Sequence, residues 1–173
     1  AARLNAVLPA AVAELPEHVR PEVLHQTGSR GRDETMAAYS SRGIEADVRP
    51  FIDDMAGAYG WADLAVCRSG ALTVAELSAA GVPAVLVPFP AAVDDHQTRN
   101  AEHVVRAGAA VLLPESELTP VSLAEVLREL IPIAKQRYMH NLRKDKSHVL
   151  RPREIVENSN IGVDTPIPYR ASD

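Results

Sequence analysis

Two short apolar segments, residues 64–67 and 84–89, constrain the fold of this chain most strongly. Both are predicted strands, and neither alternates apolar with polar side chains. A strand without alternation is buried on both faces, which requires helices on both sides of the sheet. Between the two strands, residues 71–80 form a predicted helix that ends at Gly81 and Pro83. This order predicts an α/β fold with a doubly wound, mostly parallel, Rossmann-like sheet.

The remaining elements follow the same alternation through residue 130. The first is a helix rather than a strand. Further helices are predicted over residues 3–15, 33–42, 55–61 and 121–130, and one more begins after Asp94 or Asp95 and ends at Gly108. Further strands are predicted over residues 23–26, 44–51 and 109–113. Asp53 or Asp54 is the predicted N-cap of the helix that contains Trp61.

The composition changes sharply at residue 130. Residues 1–130 carry a net charge of −8, residues 131–173 carry +3, and all three lysines lie in the second segment. Ile131-Pro132-Ile133 is expected to break the last helix, and the segment that follows is expected to be an irregular basic tail. Its basic run over residues 135–146 contains no aromatic residue besides Tyr138, which argues against a nucleic-acid partner. Two units are therefore predicted, a domain over residues 1–130 and a tail over 131–173.

Polar residues gather where predicted strands end and helices begin. Residues 68–73 form one such turn, and free backbone N–H groups at a helix N-terminus favour an anion such as phosphate. Alternatively, Ser69 only caps the helix and Gly70 only makes the turn. Glu76 shares a helix face with Thr73 and has the chemistry to bind ribose hydroxyls. The same pair also fits a capping box with Thr73 as N-cap.

The segment from Asp94 to Asn100 offers a second polar cluster. His96, Gln97 and Asn100 have the hydrogen-bonding groups to bind a sugar, or they form a solvated, acid-capped helix start. A metal site at Asp94, Asp95 and His96 lacks a second histidine at ligand spacing. Ile52 lies in a third strand-to-helix turn, where backbone groups can contact a base edge or where its side chain simply joins the core.

Five segments occur together in the order and spacing of one known family. They are Phe51-Ile52-Asp53-Asp54-Met55, Cys67-Arg68-Ser69-Gly70-Ala71-Leu72-Thr73-Val74-Ala75-Glu76, Gly81-Val82-Pro83, Val87-Pro88-Phe89-Pro90 and Asp95-His96-Gln97-Thr98-x-Asn100-Ala101. Together they closely resemble the C-terminal, donor-binding domain of the MurG family, which belongs to glycosyltransferase family 28 and has the two-domain GT-B fold. The resemblance covers residues 1–130.

The resemblance implies an inverting transferase of peptidoglycan and cell-wall synthesis. Such an enzyme moves N-acetylglucosamine from UDP-N-acetylglucosamine to undecaprenyl-diphospho-muramoylpentapeptide and so converts lipid I to lipid II, a step needed for cell division and cell shape. It needs no metal or other cofactor, because a helix N-terminus stabilises the departing UDP. The full-length family lies on the cytoplasmic face of the inner membrane as a peripheral protein.

The resemblance also assigns roles residue by residue. Ile52 would hold uracil through its backbone, and Glu76 would bind the ribose hydroxyls. Ala71, Leu72 and Thr73 would lie against the diphosphate, while His96 and Gln97 would contact the N-acetylglucosamine hydroxyls. The expected substrate-binding set is Ile52, Ser69, Gly70, Ala71, Leu72, Thr73, Glu76, His96, Gln97 and Asn100. No catalytic residue and no metal ligand is expected in this chain.

The chain departs from the family at both ends. It begins inside what resembles the end of the family's Gly-Gly-Ser-x-Gly-Ala loop, so the first sheet strand is expected to be missing. The N-terminal acceptor domain, which would contact lipid I and the membrane and supply the base, is also outside the chain. Residues 131–173 do not match the family's last helices. The isolated chain is therefore expected to be inactive, with UDP-N-acetylglucosamine and the acceptor domain as its partners.

Two other functions fit the same residues. One is the donor subunit of a split UDP-N-acetylglucosamine transferase, with the basic tail as a docking segment, and it ranks behind the donor-binding domain described above. The other is a nucleotide-sugar binding module without catalysis.

Overall fold

A computed structural model of the chain describes residues 2–90, 95–142 and 153–157. The helices are α1 (Ala2–Glu14), α2 (Arg32–Ser40), α3 (Met55–Trp61), α4 (Ala71–Ala80), α5 (His96–Arg106) and α6 (Pro120–Leu142). The strands are β1 (Glu22–Gln26), β2 (Asp47–Arg49), β3 (Leu64–Cys67), β4 (Ala84–Leu86), β5 (Ala110–Leu112) and β6 (Arg153–Glu157). The predicted alternation of helices and strands through residue 130 is confirmed.

The described strands form one sheet in the order β2-β1-β6-β3-β4-β5. Each neighbouring pair is parallel, as in the β3–β4 register of Ala65 with Ala84 and Cys67 with Leu86. The carboxyl ends of these strands therefore meet at one edge of the sheet, which is where open α/β sheets bind ligands.

Strand β3 shows why its sequence lacks alternation. Leu64 and Val66 pack into a core cluster with α1 and α6 on one face of the sheet. Ala65 and Cys67 pack into a second cluster with α3, α4 and α5 on the other face. All four side chains are fully buried. The predicted doubly wound fold is therefore confirmed.

Two predicted strands are shorter in the structure. The strand predicted over residues 44–51 is confined to Asp47–Arg49, and the one over 84–89 to Ala84–Leu86. Single backbone hydrogen bonds continue past both ends, from Gly28 N to Pro50 O (3.0 Å) and from Val87 N to Cys67 O (2.8 Å). The ladder then stops because the next amides of these segments bond to side chains instead, as the site geometry below shows.

The predicted helix break at Ile131-Pro132-Ile133 is wrong. Helix α6 includes Pro132 and continues to Leu142. A proline inside a helix costs about 3 kcal/mol, but Ile131 and Ala134 on either side of it are buried in the cluster that α6 forms with α1. Packing of this apolar face outweighs the proline, and the helix crosses the predicted boundary at residue 130.

The prediction of an irregular tail is wrong for the segment Arg153–Glu157. This segment is strand β6, and it lies at the centre of the sheet, parallel to β1 on one side and β3 on the other. In a doubly wound sheet the central position next to the reversal of strand order belongs to the strand that precedes the first helix. In this chain β6 occupies that position.

Candidate functional site

The N-terminus of α4 lies at the carboxyl edge of the sheet, directly after β3. Gly70 is its N-cap residue, with φ −59° and ψ 147° and no side-chain capping bond, and the helical ladder starts with Val74 N donating to Gly70 O. The three amides before Val74 therefore lie outside the ladder, as the first amides of any helix do. Ala71 and Leu72 are exposed there, so this helix end is open to an anion.

The structure rules out both capping alternatives for this helix. Thr73 is its third residue and is buried, not its N-cap, so the predicted capping box with Glu76 is wrong. Ser69 precedes the N-cap and is not the cap either. The hydroxyl of Thr73 points back towards the loop, since its Oγ1 lies 4.0 Å from where a Cβ on Gly70 would be. Glu76 lies one turn further on and is half-buried.

Two hydrogen bonds join this loop to α5, and a third joins α5 to the segment after β4. Ser69 Oγ donates to the backbone carbonyl of Gln97 (2.8 Å), and Asn100 Nδ2 donates to the carbonyl of Ser69 (3.3 Å). The side-chain Oε1 of Gln97 accepts from Phe89 N (2.8 Å). The structure therefore brings the first turn of α5 against the loop before α4. Gln97 and Asn100 each use one of the two polar groups of the side-chain amide in these bonds, and the other group of each bonds to none of the residues that the structure describes.

Arg68 is a buried cation directly behind this loop. Its guanidinium forms an ion pair with Glu115, donates to the carbonyls of Val87 (3.3 Å) and Pro88 (3.2 Å), and lies 5.3 Å from the ring centre of Phe89. These contacts fix the segment after β4 relative to β3. The sequence predicts Arg68 in an anion-binding turn, and it gives no local signal for the contact with Glu115 because the two residues lie 47 positions apart.

The start of α5 differs from the prediction. Asp95 is at the N-cap position with φ 54° and makes no side-chain capping bond. The prediction that its carboxylate caps this helix is therefore wrong. Asp94 lies outside the described residues. Within the described part of the chain, no cluster of three or more His, Cys, Asp or Glu side chains is placed to hold a metal ion. His96 is the first residue of α5 and is exposed.

Ile52 follows the end of β2 and is buried. Its backbone N–H donates to the side-chain Oε1 of Gln26 (2.7 Å), so this donor is already bonded inside the protein. Asp54 then caps α3 by accepting from Gly57 N (2.8 Å), which confirms the predicted cap. A side chain at position 57 would collide with the Asp54 carboxylate and displace it from this position.

A cavity of about 750 Å³ lies at the same edge of the sheet, between α1, α2 and the end of β1. Gln26, Thr27, Arg30, Glu34 and Phe51 are among its lining residues. Polar groups of this kind around a concave, partly apolar space are typical of ligand sites.

A comparison with models of known protein families shows which family the chain belongs to. A sequence model of the glycosyltransferase family 28 C-terminal domain matches residues 1–152 of the chain. The chain belongs to glycosyltransferase family 28. The matched residues extend beyond the predicted boundary at residue 130 and reach the segment just before β6.

Individual relatives in family 28 agree with this assignment. The chain is 60% identical over 126 residues to the UDP-N-acetylglucosamine--N-acetylmuramyl-(pentapeptide) pyrophosphoryl-undecaprenol N-acetylglucosamine transferase of Marinobacter nauticus, which covers 73% of this chain and 35% of the relative. It is 60% identical over 127 residues to the transferase of the same name from Nitrosococcus oceani, at 73% and 35% coverage. The chain thus spans about a third of the length of these curated relatives.

A solved family 28 structure has the same fold. The crystal structure of Acinetobacter baumannii MurG superimposes with a TM-score of 0.69 at 44% identity, over 75% of this chain and 38% of that chain. This likeness supports the identification of the chain as a MurG-like C-terminal domain with a Rossmann-like sheet.

Within this family 28 domain, the structure places all ten expected binding residues at or near the carboxyl edge of the sheet. Ser69, Gln97 and Asn100 contact one another directly through the bonds above. Ile52 is held at a separate turn, next to β1. The sequence motifs do not single out Gln26, which is a polar residue next to His25 at the carboxyl end of the predicted strand 23–26.

Proposed function

We infer that this chain is the donor-binding domain of an inverting glycosyltransferase that moves N-acetylglucosamine from UDP-N-acetylglucosamine to undecaprenyl-diphospho-muramoylpentapeptide, forming lipid II for peptidoglycan. The observation that carries this proposal is the junction of α4 and α5 at the carboxyl edge of the sheet, where Ser69, Gln97 and Asn100 are hydrogen-bonded together. Family 28 membership and the names of the relatives support it.

The proposed donor lies across this edge. The open N-terminus of α4 would receive the diphosphate, because its first amides and the helix dipole favour negative charge. As UDP departs, the charge that develops on it would be stabilised by the same fixed donors, which needs no metal. Glu76, one turn into the helix, would accept from the two ribose hydroxyls.

The sugar would lie over the first turn of α5. The Gln97 side-chain oxygen is bonded to Phe89 N, so its amide NH₂ is the group proposed to contact a sugar hydroxyl. Asn100 donates through its own NH₂ to Ser69, which leaves its carbonyl oxygen for the ligand. His96 is exposed at the start of the helix and is the third proposed sugar contact.

The remaining partners belong to the proposal as well. An acceptor domain would supply the catalytic base and the contacts to lipid I, and the membrane's cytoplasmic face would be reached only through that domain. Within the described residues, none of the helices combines the length and apolar character needed to cross a bilayer.

Calorimetric titration of the chain with UDP and UDP-N-acetylglucosamine tests the donor site. We expect Glu76→Ala to weaken binding of both ligands by about tenfold or more, because two charge-assisted hydrogen bonds to the ribose are lost. Glu125→Ala removes the same charge from an exposed position on α6 and should leave the affinity unchanged. Equal loss in the two variants, or none in Glu76→Ala, would contradict the ribose assignment.

A further inference from the structure

We propose that Gln26 reads the nucleobase of the donor, by donating a hydrogen bond from its side-chain Nε2 to a carbonyl oxygen of uracil. This deepens the proposed function and rests on it, because it places the base beside the turn at Ile52. It assigns a specificity role to a residue of β1, outside the ten residues that the family motifs indicate.

The orientation of the Gln26 amide is fixed by the structure. Ile52 N lies 2.7 Å from Oε1 of Gln26, and a backbone N–H can only donate. The oxygen of this amide must therefore face Ile52, and its NH₂ group must face the other way. Both residues are buried, with Gln26 at 5% and Ile52 at 7% exposure, so the bond is shielded from water.

The turn around this amide is held by backbone hydrogen bonds. Thr27 N donates to Arg49 O (2.9 Å) and Gly28 N to Pro50 O (3.0 Å), which extends the β1–β2 pairing beyond both strands. The bond from Ile52 N to the side chain of Gln26 connects the same two segments. A group held this way loses little conformational entropy on binding, as a specificity contact requires.

The NH₂ group of Gln26 has no hydrogen-bond acceptor among the residues described in the structure. Gln26 also lines the cavity of about 750 Å³, together with Thr27, Gly28 and Phe51. Among the described residues, Nε2 of Gln26 is not one of the buried polar atoms without a partner, so this donor is accessible from the cavity and can bond to an acceptor inside it. A carbonyl oxygen is the matching chemistry.

Uracil fits this arrangement and cytosine does not. The N–H of Ile52 is already bonded, so the backbone group of Ile52 that remains for the base is its carbonyl, which can accept from N3–H of uracil. The adjacent ring carbonyl then accepts from Gln26. Cytosine presents an acceptor at N3 and an amino donor beside it, so both contacts would be mismatched. Sites that bury an unmatched polar group reject the wrong ligand strongly.

The variant Gln26→Glu tests the NH₂ group of this amide separately from its oxygen. It keeps an oxygen for Ile52 N–H and replaces the NH₂ donor by an acceptor. In titrations of the full chain at pH 8, where the carboxylate is ionised, we expect the affinity for UDP to fall by about tenfold or more while the affinity for CDP does not fall. Gln136→Glu, an identical change at an exposed position on α6, should preserve the wild-type preference for UDP.

Gln26→Met serves as a second variant of similar length without an amide, and thermal melts confirm that each variant folds. A lower ratio of UDP to CDP affinity than in the wild type, in both variants, supports the proposal. A folded Gln26→Glu or Gln26→Met protein that keeps the wild-type ratio of UDP to CDP affinity overturns it and leaves the proposed function intact. A wild-type chain that binds neither nucleotide overturns the proposed function itself, and this inference with it.

Discussion

His25 is a fully buried histidine whose two ring nitrogens are both hydrogen-bonded. Asn5 donates through Nδ2 to Thr27 O (3.0 Å), so its Oδ1 must be the atom that lies 3.0 Å from His25 Nε2. Nε2 therefore carries the proton, and Nδ1 accepts from the Tyr39 hydroxyl (3.0 Å). Burial lowers the pKa of His25 from 6.5 to about 3, and the ring is neutral when the protein is folded.

This neutral ring predicts a pH-dependent stability. Because the folded pKa of about 3 is below the unfolded value of 6.5, the unfolded state binds more protons between these two pH values. The free energy of unfolding should therefore be constant above pH 6.5 and fall below it, by about 1 kcal/mol per pH unit for this group. Urea denaturation at pH 7, 6 and 5 measures this slope.

Two variants isolate the contribution of His25 to that slope. His25→Gln should flatten the dependence between pH 5 and 7, although it also lowers stability throughout. His103→Gln removes an exposed histidine of α5 and should keep the wild-type slope. A slope that is the same in His25→Gln as in the wild type would show that other groups cause it.

At the scale of the element, strand β6 completes the sheet through its backbone. Its residue Ile155 is in register with Leu24 of β1 and Ala65 of β3. We expect Ile155→Pro to lower the free energy of unfolding by more than about 2 kcal/mol, because proline removes a ladder hydrogen bond at the centre of a sheet and restricts the backbone there. Thermal and urea unfolding measure the effect.

Ile155→Val is the matched control, since it keeps both the N–H group and the β-branched side chain. It should remain close to the wild type. Wild-type stability in Ile155→Pro would mean that β1 and β3 do not depend on this strand in solution.

The same strand shows where sequence reasoning fails. Strands β3 and β4 were predicted because they are wholly apolar, and burial on both faces follows from that pattern. Strand β6 has three charged residues in five, which is not typical of a central parallel strand. Strand β6 pairs with β1 and β3 because the sheet has room for a strand between them. The residues of β6 carry no local pattern that indicates this position. Helix α6 is a parallel case, where core contacts of Ile131 override the local signal of Pro132.

The candidate site, like the sheet, can be predicted only in part from the sequence. Turn residues such as Gly70 and Ser69 can be predicted, because strand ends and helix starts have local sequence signals. The contacts that organise them, Arg68 with Glu115 and Gln26 with Ile52, join residues far apart in the chain. Such pairs depend on tertiary structure and carry no signal in one sequence.

At the scale of the whole molecule, we expect donor binding without transfer of the sugar. The chain contains the proposed donor contacts and spans about a third of the length of its curated relatives. We therefore expect it to bind UDP-N-acetylglucosamine but to form no lipid II from a lipid I analogue, because the acceptor site and base are proposed to lie on another domain. A radiolabel transfer assay with the full-length Acinetobacter baumannii MurG as positive control measures this.

Two outcomes would change that expectation. Product formed by the chain alone would place a base within these 173 residues. Product formed only after an acceptor domain is added as a separate polypeptide would favour the donor subunit of a split transferase.

The central position of β6 also determines when the sheet can close during synthesis. Residues 22–26 and 64–67 leave the ribosome long before their shared neighbour at 153–157, and the β1–β6 contact spans about 130 residues of chain. Until that neighbour emerges, β1 and β3 present two unpaired edges that face each other across a gap. We therefore expect the risk of aggregation during synthesis to grow with the length of this interval.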